Sequence, residues 1–527
     1  MRTPRRIPTL TALTVAGALV LVGCSEPDDE PGPDGTRDID ARSYYDDYEQ
    51  GDYDMAMPST SSSVADDGGG ASVPIPGPTD DNTFVDAGAS AFVDPRQDPL
   101  STFALDVDTG SYGVARSLLD QGYRPPAESI RVEEWVNAME YDDPAPTDAD
   151  LGVLAESAPA PGLDDGTQLV RVAVSAREVQ PTERPRVNVT LVVDRSGSMD
   201  IRNRLGLVQS SLALLADRLA GDDTVSVVSF EDEARPILEP TPVRDTGKIL
   251  DAIEELRPGG STNLEAGLRL GYEQAREGFA EDAVNLVVLA SDGVANVGDT
   301  GPGSITEKIS EEGRDGIHLV TVGYGMGNYN DHLMEQLADL GDGFYSYVDT
   351  YREAEQLFGT ELTTTLTPVA AEARTQVAFD PELVTSYRLV GYDNREIADD
   401  DFEDLSVDAG ELGAGHHATA LYEVRLADGV APGTPIGQAT VKWEGVSDGR
   451  GHLASTELVA ADPEAEPTHS LALASTVADL AQVLKDAAPY RDRGVDLADI
   501  GQRAEALGAD EIVDLVRRAE EGRLYKN

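Results

Sequence analysis

The sequence predicts an α/β fold: a doubly wound, mostly parallel sheet inserted in a β-sandwich, followed by a small C-terminal helical bundle. Three observations predict it. Over residues 187–366, continuous apolar runs alternate with amphipathic helical stretches. Parallel strands covered by helices on both faces read this way. Over 375–460, apolar and polar residues alternate in short runs broken by turn residues, as in antiparallel strands. From Thr468 the period is helical: Leu471, Ala474, Val477, Leu480, Ala481 and Leu484 share one face.

The elements follow in chain order. Arg2, Arg5 and Arg6 precede an apolar run over 10–23. It is too short to span a bilayer and has the pattern of a secretory leader, here residues 1–23. The run ends Leu21-Val22-Gly23-Cys24-Ser25, which resembles the bacterial lipobox. The resemblance implies cleavage before Cys24, lipid on its thiol, export, and anchoring to the cell membrane facing outward. The membrane is then touched only through that lipid. Residues 24–98 read as a disordered acidic linker. Positions 25–98 hold 19 acidic and 3 basic residues among many Pro, Gly and Ser. Such a stretch buries too little apolar surface to offset its ordering entropy.

Residues 99–150 form an N-terminal flanking segment, with a strand near 101–108 and helices near 111–121 and 131–137. Residues 151–185 are a β segment. Its run at 167–180 alternates as a half-buried strand does and is expected to pair with the later sandwich. Residues 186–367 are the α/β domain. Its strands are expected near 187–193, 224–230, 284–290, 317–322 and 344–348. Its helices are expected near 202–219, 247–256, 262–276, 304–312, 329–340 and 354–366. Residues 368–465 are β-rich, with runs at 387–392, 418–426 and 438–444. Residues 466–527 are helical, with two short helices near 496–507 and 510–520.

Composition excludes several functions. The 527 residues carry 40 Lys+Arg against 98 Asp+Glu, a net charge of −58. Nucleic-acid phosphates and anionic lipid headgroups are held by Lys and Arg, so neither is an expected partner. One cysteine excludes an intrachain disulfide and a Cys-based zinc site. Six scattered histidines include no HExxH. No 20-residue apolar run is present to span a membrane as a helix.

The chemistry sits on three loops. The first strand of the α/β domain ends Asp194-Arg195-Ser196-Gly197-Ser198. A carboxylate and two hydroxyls so spaced can point at one place. Thr262, in the Gly-rich loop 258–263, offers another hydroxyl. Asp292 ends a second strand. Two carboxylates and three hydroxyls make an all-oxygen donor set, which suits a hard cation such as Mg²⁺.

These residues resemble the metal-ion-dependent adhesion site of the von Willebrand factor type A domain, which has a Rossmann-like sheet. Carried over one by one, the implied site is Asp194, Ser196, Ser198, Thr262 and Asp292. The resemblance implies direct ligation by Ser196 and Ser198. Thr262 ligates directly or through water, and the two aspartates supply charge partly through water. A position left on the metal accepts a partner's carboxylate. Mg²⁺ is the expected ion, with Mn²⁺ or Ca²⁺ as alternatives. Arg195 stands where many relatives carry a small or apolar residue, and adds a cation that favours acidic partners. Residues 102–112, 131–137, 387–395 and 408–416 are similar to the flanks of one bacterial lipoprotein group that wraps this domain. The resemblance thereby covers about 430 residues.

Other motifs have structural readings. Asp194 and Asp292 could each be a turn or helix-capping residue. Gly323, Gly325 and Gly327 follow a strand, but no GK[ST] accompanies them, so a tight turn is expected. His416 and His417 should face opposite sides of a strand. Residues 106–117 fail as an EF-hand loop, since Ser117 stands where Glu is needed. The triplets 108–110 and 245–247 both read Asp-Thr-Gly, as in aspartic proteases, but Asp245 opens a helix inside an α/β domain. No catalytic residues are assigned and no enzyme activity is expected. The expected function is a lipid-anchored surface protein that binds a protein partner's acidic side chain through the metal, with no small-molecule substrate. The alternative is an envelope assembly or scaffolding factor whose metal is structural.

Overall fold

In the computed structural model, residues 39–49, most of 82–293 and most of 308–524 are described. Within those spans 83, 87, 106, 162, 164, 180–183, 314, 327–329, 362–366, 393–396, 405–408 and 447 are not. The leader, Cys24, most of the acidic linker and residues 304–307 of an expected helix lie outside the described residues.

Along the chain come α1 (Ala41–Asp46), β1 (Leu100–Ala104), α2 (Gly110–Asp120), β2 (Tyr123–Arg124), α3 (Val132–Asn137), β3 (Leu151–Pro159) and β4 (Gln168–Ala176). The central block follows as β5 (Arg186–Asp194), α4 (Leu207–Arg218), β6 (Thr224–Phe230), β7 (Ala234–Pro242), α5 (Thr246–Glu255), α6 (Leu264–Gly278) and β8 (Ala283–Ser291). It continues with α7 (308–313), β9 (Ile317–Tyr324), α8 (Asp331–Leu340), β10 (Tyr345–Val348) and α9 (Tyr351–Gln356). The last part comprises β11 (Pro368–Phe379), β12 (Val384–Val390), β13 (Gly410–Gly413), β14 (His417–Leu426), β15 (Pro435–Gly445) and β16 (Arg450–Val459). It closes with α10 (His469–Lys485), α11 (Leu497–Leu507), α12 (Asp510–Glu521) and β17 (Arg523–Leu524).

The central sheet has the order β10-β9-β8-β5-β6-β7. All its pairings are parallel except β6 with β7. Its apolar strands bury both faces. Val187, Val189, Leu191 and Val193 pack beneath α4 and α5, while Val192, Val228, Val287 and Leu289 pack beneath α6 and α8. Each such side chain contributes about 1.5–3 kcal/mol of burial. Strand β7 is absent from the sequence expectation because Pro236, Pro240 and Pro242 punctuate it. An edge strand tolerates proline, and β7 is the edge.

The sandwich packs a sheet of order β12-β14-β4-β3 on one of order β1-β11-β15-β16, with β13 beside β11. Strand β4 pairs with β14 across the inserted domain. It is not half-buried as its alternation predicts. Val170, Val172 and Val174 enter the sandwich core, while Leu169 on the other face enters a helical layer. Arg171 is buried there too, held by Asp143 and by Glu156 at 2.9 Å, its guanidinium over the Tyr141 ring. Helices α10, α11 and α12 form this layer, and α2 and α3 join it through Tyr112, Leu119, Trp135 and Val136.

The spacer expected over 24–98 is corrected at two places. Helix α1 docks on the central domain, with Ala41 buried and Ile39, Tyr44, Tyr45 and Tyr48 packed against its core. The acids Asp40, Asp46 and Asp47 stay exposed, so composition hid the tyrosines that hold the segment. Further on, Val93 pairs with Tyr387 of β12 and packs on the sandwich core.

The flank also seals the β10 edge of the central sheet. Arg131 Nη1 reaches Asp331 Oδ2 at 2.7 Å, and Arg116 Nη2 reaches Asp349 at 2.9 Å. Asp108 accepts the Tyr345 N–H at 2.9 Å.

Candidate metal centre

Strand β5 lies mid-sheet. From it the chain moves to β6 and β7 on one side, then returns to β8 on the other. The carboxyl ends of β5 and β8 therefore stand side by side while their loops diverge, which is where doubly wound sheets leave a crevice. Asp194 ends β5, and Asp292 follows Ser291 at the end of β8.

Each predicted residue has a defined place. Asp194, Ser196, Thr262 and Asp292 are buried and Ser198 is partly buried. Asp194 Oδ1 accepts the Ser196 N–H at 2.8 Å, and Oδ2 accepts the Ser291 hydroxyl at 2.7 Å. The Ser196 and Ser198 hydroxyls lie 3.0 Å apart. The Gly-rich loop is pinned across the first: Gly259 N donates to Arg195 O at 2.7 Å and Gly197 N to Gly260 O at 3.1 Å. Asn263 then caps α6 through the Ala266 N–H at 3.1 Å. Gly260 has φ +77°, and a Cβ there would lie 2.8 Å from Glu231 Oε2.

Burial, and then the charge of Asp292, push the Asp194 carboxyl well above the usual carboxylate range against the hydrogen bonds from Ser196 and Ser291. The Thr262 hydroxyl oxygen is buried with no hydrogen-bond partner among the described residues. Leaving a hydroxyl so costs about 1–3 kcal/mol. These residues fit a hard divalent cation: all donors are oxygen, two carboxylates share a buried space, and a hydroxyl waits without a partner. Among the described residues no group of three or more His, Cys, Asp or Glu is arranged to hold a metal. A cation here therefore depends on the hydroxyls.

Sequence reasoning missed Arg204 and Ser291. Arg204 Nη1 donates to Asp292 Oδ2 and to Ser198 O, both at 2.8 Å, and Nη2 donates to Met326 O. Asp292 and Met326 lie 88 and 122 residues away, beyond any local pattern. Arg195 is corrected. Its guanidinium is ion-paired with Glu231 and donates to Arg257 O at 3.1 Å, so it staples the loops together. The two Asp-Thr-Gly aspartates serve different elements. Asp108 binds the Tyr345 N–H, while Asp245 precedes α5 and pairs with Lys248 at 2.9 Å.

Comparison with known families bears on this geometry. The von Willebrand factor type A domain family matches residues 188–360, which include all five predicted positions. The chain carries a von Willebrand factor type A domain. The segment ahead of it, 78–171, matches the family described as von Willebrand factor, and 364–435 matches "Uncharacterized protein YfbK, C-terminal". Uncharacterized protein YfbK of Escherichia coli K12 is 40% identical over 338 residues, covering 63% of this chain and 59% of the relative. An uncharacterized protein of Synechocystis is 33% identical over 197 residues, 37% of this chain and 46% of its own length. The chain thus spans less than two thirds of either relative. Among solved structures, a von Willebrand factor type A protein from Catenulispora acidiphila aligns with a TM-score of 0.42 at 17% identity, covering 70% of this chain and 89% of that one.

Proposed function

We propose that the type A domain binds a protein partner by letting an acidic side chain of that partner complete the shell of a divalent cation. Asp194, Ser196, Ser198, Thr262 and Asp292 would hold the ion, Mg²⁺ first and Mn²⁺ or Ca²⁺ next. When bound, the cation supplies an electrophilic position for a carboxylate. The observation that carries the reading is the buried Thr262 hydroxyl, which has no hydrogen-bond partner among the described residues and stands on a loop pinned to Arg195 and Gly197, the neighbours of Ser196. The protein acts as a binder and not as an enzyme, exported and held at the outer face of the membrane by lipid on Cys24. Affinity capture tests this, using wild type and Asp194→Ala as bait, each in Mg²⁺ and in EDTA, after melting curves confirm both are folded. A protein retained only by wild type in Mg²⁺ supports the reading. Capture indifferent to metal and to the substitution overturns it.

The stapling of the loops by Arg195 and Arg204 favours a second reading, an envelope scaffolding factor whose metal is structural. In that case Asp194→Ala lowers the melting temperature and changes no capture.

A further inference from the structure

Arg204 places a guanidinium at the candidate metal centre, and the fold is built to put it there. The turn Arg202–Gly206 is wound more loosely than the α-helix it leads into. From it the Arg204 side chain, 8% exposed, runs to Asp292, 1% exposed. Its path crosses Gly325, the residue that follows β9. Gly325 has φ +73°, and a Cβ there would lie 2.6 Å from Arg204 Nε. That glycine therefore makes the room in which the guanidinium lies, and the Met326 carbonyl and Ser198 carbonyl fix the fork.

The charges decide what this does. Ionised, Asp194 and Asp292 with Arg204 leave one net negative charge. A divalent cation reverses that to one net positive. Without Arg204 the loaded group would be neutral and would offer a partner's carboxylate far less. We propose that Arg204 is a resident cation sharing Asp292 with the metal: it holds divalent-cation affinity below what the carboxylates alone would give, and keeps the loaded site attractive to a carboxylate. The inference rests on the metal reading above. Arg204 acts through Asp292 and is a positioning residue.

The test is a Mn²⁺ titration of the full chain, read by the electron paramagnetic resonance of free Mn²⁺, beside melting curves in EDTA. Arg204→Gln should bind Mn²⁺ roughly tenfold tighter, because a like charge beside the ion is gone. It should also melt lower in EDTA, because the buried ion pair between Arg204 and Asp292 is broken. Tighter binding with lower stability separates this role from a merely structural one, which would weaken both. Arg204→Lys keeps the charge and should keep wild-type affinity. Gly325→Ala, which crowds the guanidinium without removing it, is the second variant should Arg204→Gln fail to fold, and should also tighten binding. Wild type that binds Mn²⁺ while both neutralised and crowded variants bind equally or more weakly overturns the role of Arg204 alone. Should wild type bind none, uptake by Arg204→Gln supports the role, and no uptake overturns both readings.

Discussion

The Tyr48 hydroxyl donates to Asp200 Oδ1 at 2.9 Å, two residues past Ser198. Its ring also lies against Gly206, where a Cβ would sit 2.8 Å from it, and Tyr45 OH reaches Asn203 Oδ1 at 3.0 Å. A segment whose composition reads as spacer thus grips the turn that carries Arg204. Tyr48→Ala is expected to cost roughly 2 kcal/mol, less than a fully buried aromatic, because the ring is half-exposed. Chemical denaturation measures the loss. Hydrogen exchange over 200–206 should speed up, and unchanged exchange there would mean that the tyrosine does not hold the turn.

Thr262→Val replaces a hydroxyl by a methyl at the same volume. Because that hydroxyl has no hydrogen-bond partner among the described residues, nothing is lost from the metal-free protein. Its stability in EDTA should stay level or rise by about 1 kcal/mol. The rise in melting temperature on adding Mg²⁺ should disappear. Loss of stability in EDTA would show that the hydroxyl has a structural partner.

What the sequence made legible followed from local chemistry. The apolar runs that become β5 and β8 have one stable place, between two helical layers, and the aspartates closing them fall at strand ends by necessity. Thr262 is legible because a Gly-rich loop before an amphipathic helix fixes it at that helix's start. Arg204 is not, since its meaning lies in Asp292 and Met326, which the fold alone brings near. β7 is hidden by its prolines and α1 by its acids, in both cases because composition outweighs the few residues that make the contact. The two-sided burial of β4 depends on helices that lie far along the chain.

Gly110 begins α2 where it crosses β10. A Cβ there would run into the Tyr345 ring. The ring cannot swing away freely, since its hydroxyl donates to Asp331 Oδ1 at 2.6 Å and Asp331 also holds Arg131. Gly110→Ala should therefore destabilise the joint between flank and type A domain by about 1–3 kcal/mol, the cost of overpacking. The further substitution Tyr345→Ala should recover part of that clash. A Gly110→Ala protein as stable as wild type would mean that α2 is free to lift off β10.

Glu423 lies buried between two arginines. Arg388 Nε reaches Oε2 at 2.9 Å and Arg493 pairs with the same carboxylate. Burial pushes its carboxyl pKa up, but the hydrogen bonds from Arg388 and Arg493 outweigh burial, and the net shift is downward. A carboxyl whose folded value lies below its unfolded one stabilises the fold fully above the unfolded value, about 4.3, and loses that contribution as pH falls through the folded value. Glu423→Gln should cost roughly 3 kcal/mol at pH 7, where the buried Arg388 and the partly buried Arg493 lose their counter-charge. Once pH falls below the unfolded value the unfolded carboxyl protonates while the folded one is still charged, so the gap between the two proteins should narrow from there downward. Urea denaturation of both from pH 7 to pH 3 reads the gap directly. Other carboxylates acidify equally in both proteins and cancel in the difference. A gap that stays constant through that range would show that the pair contributes by packing and hydrogen bonding alone, not by charge.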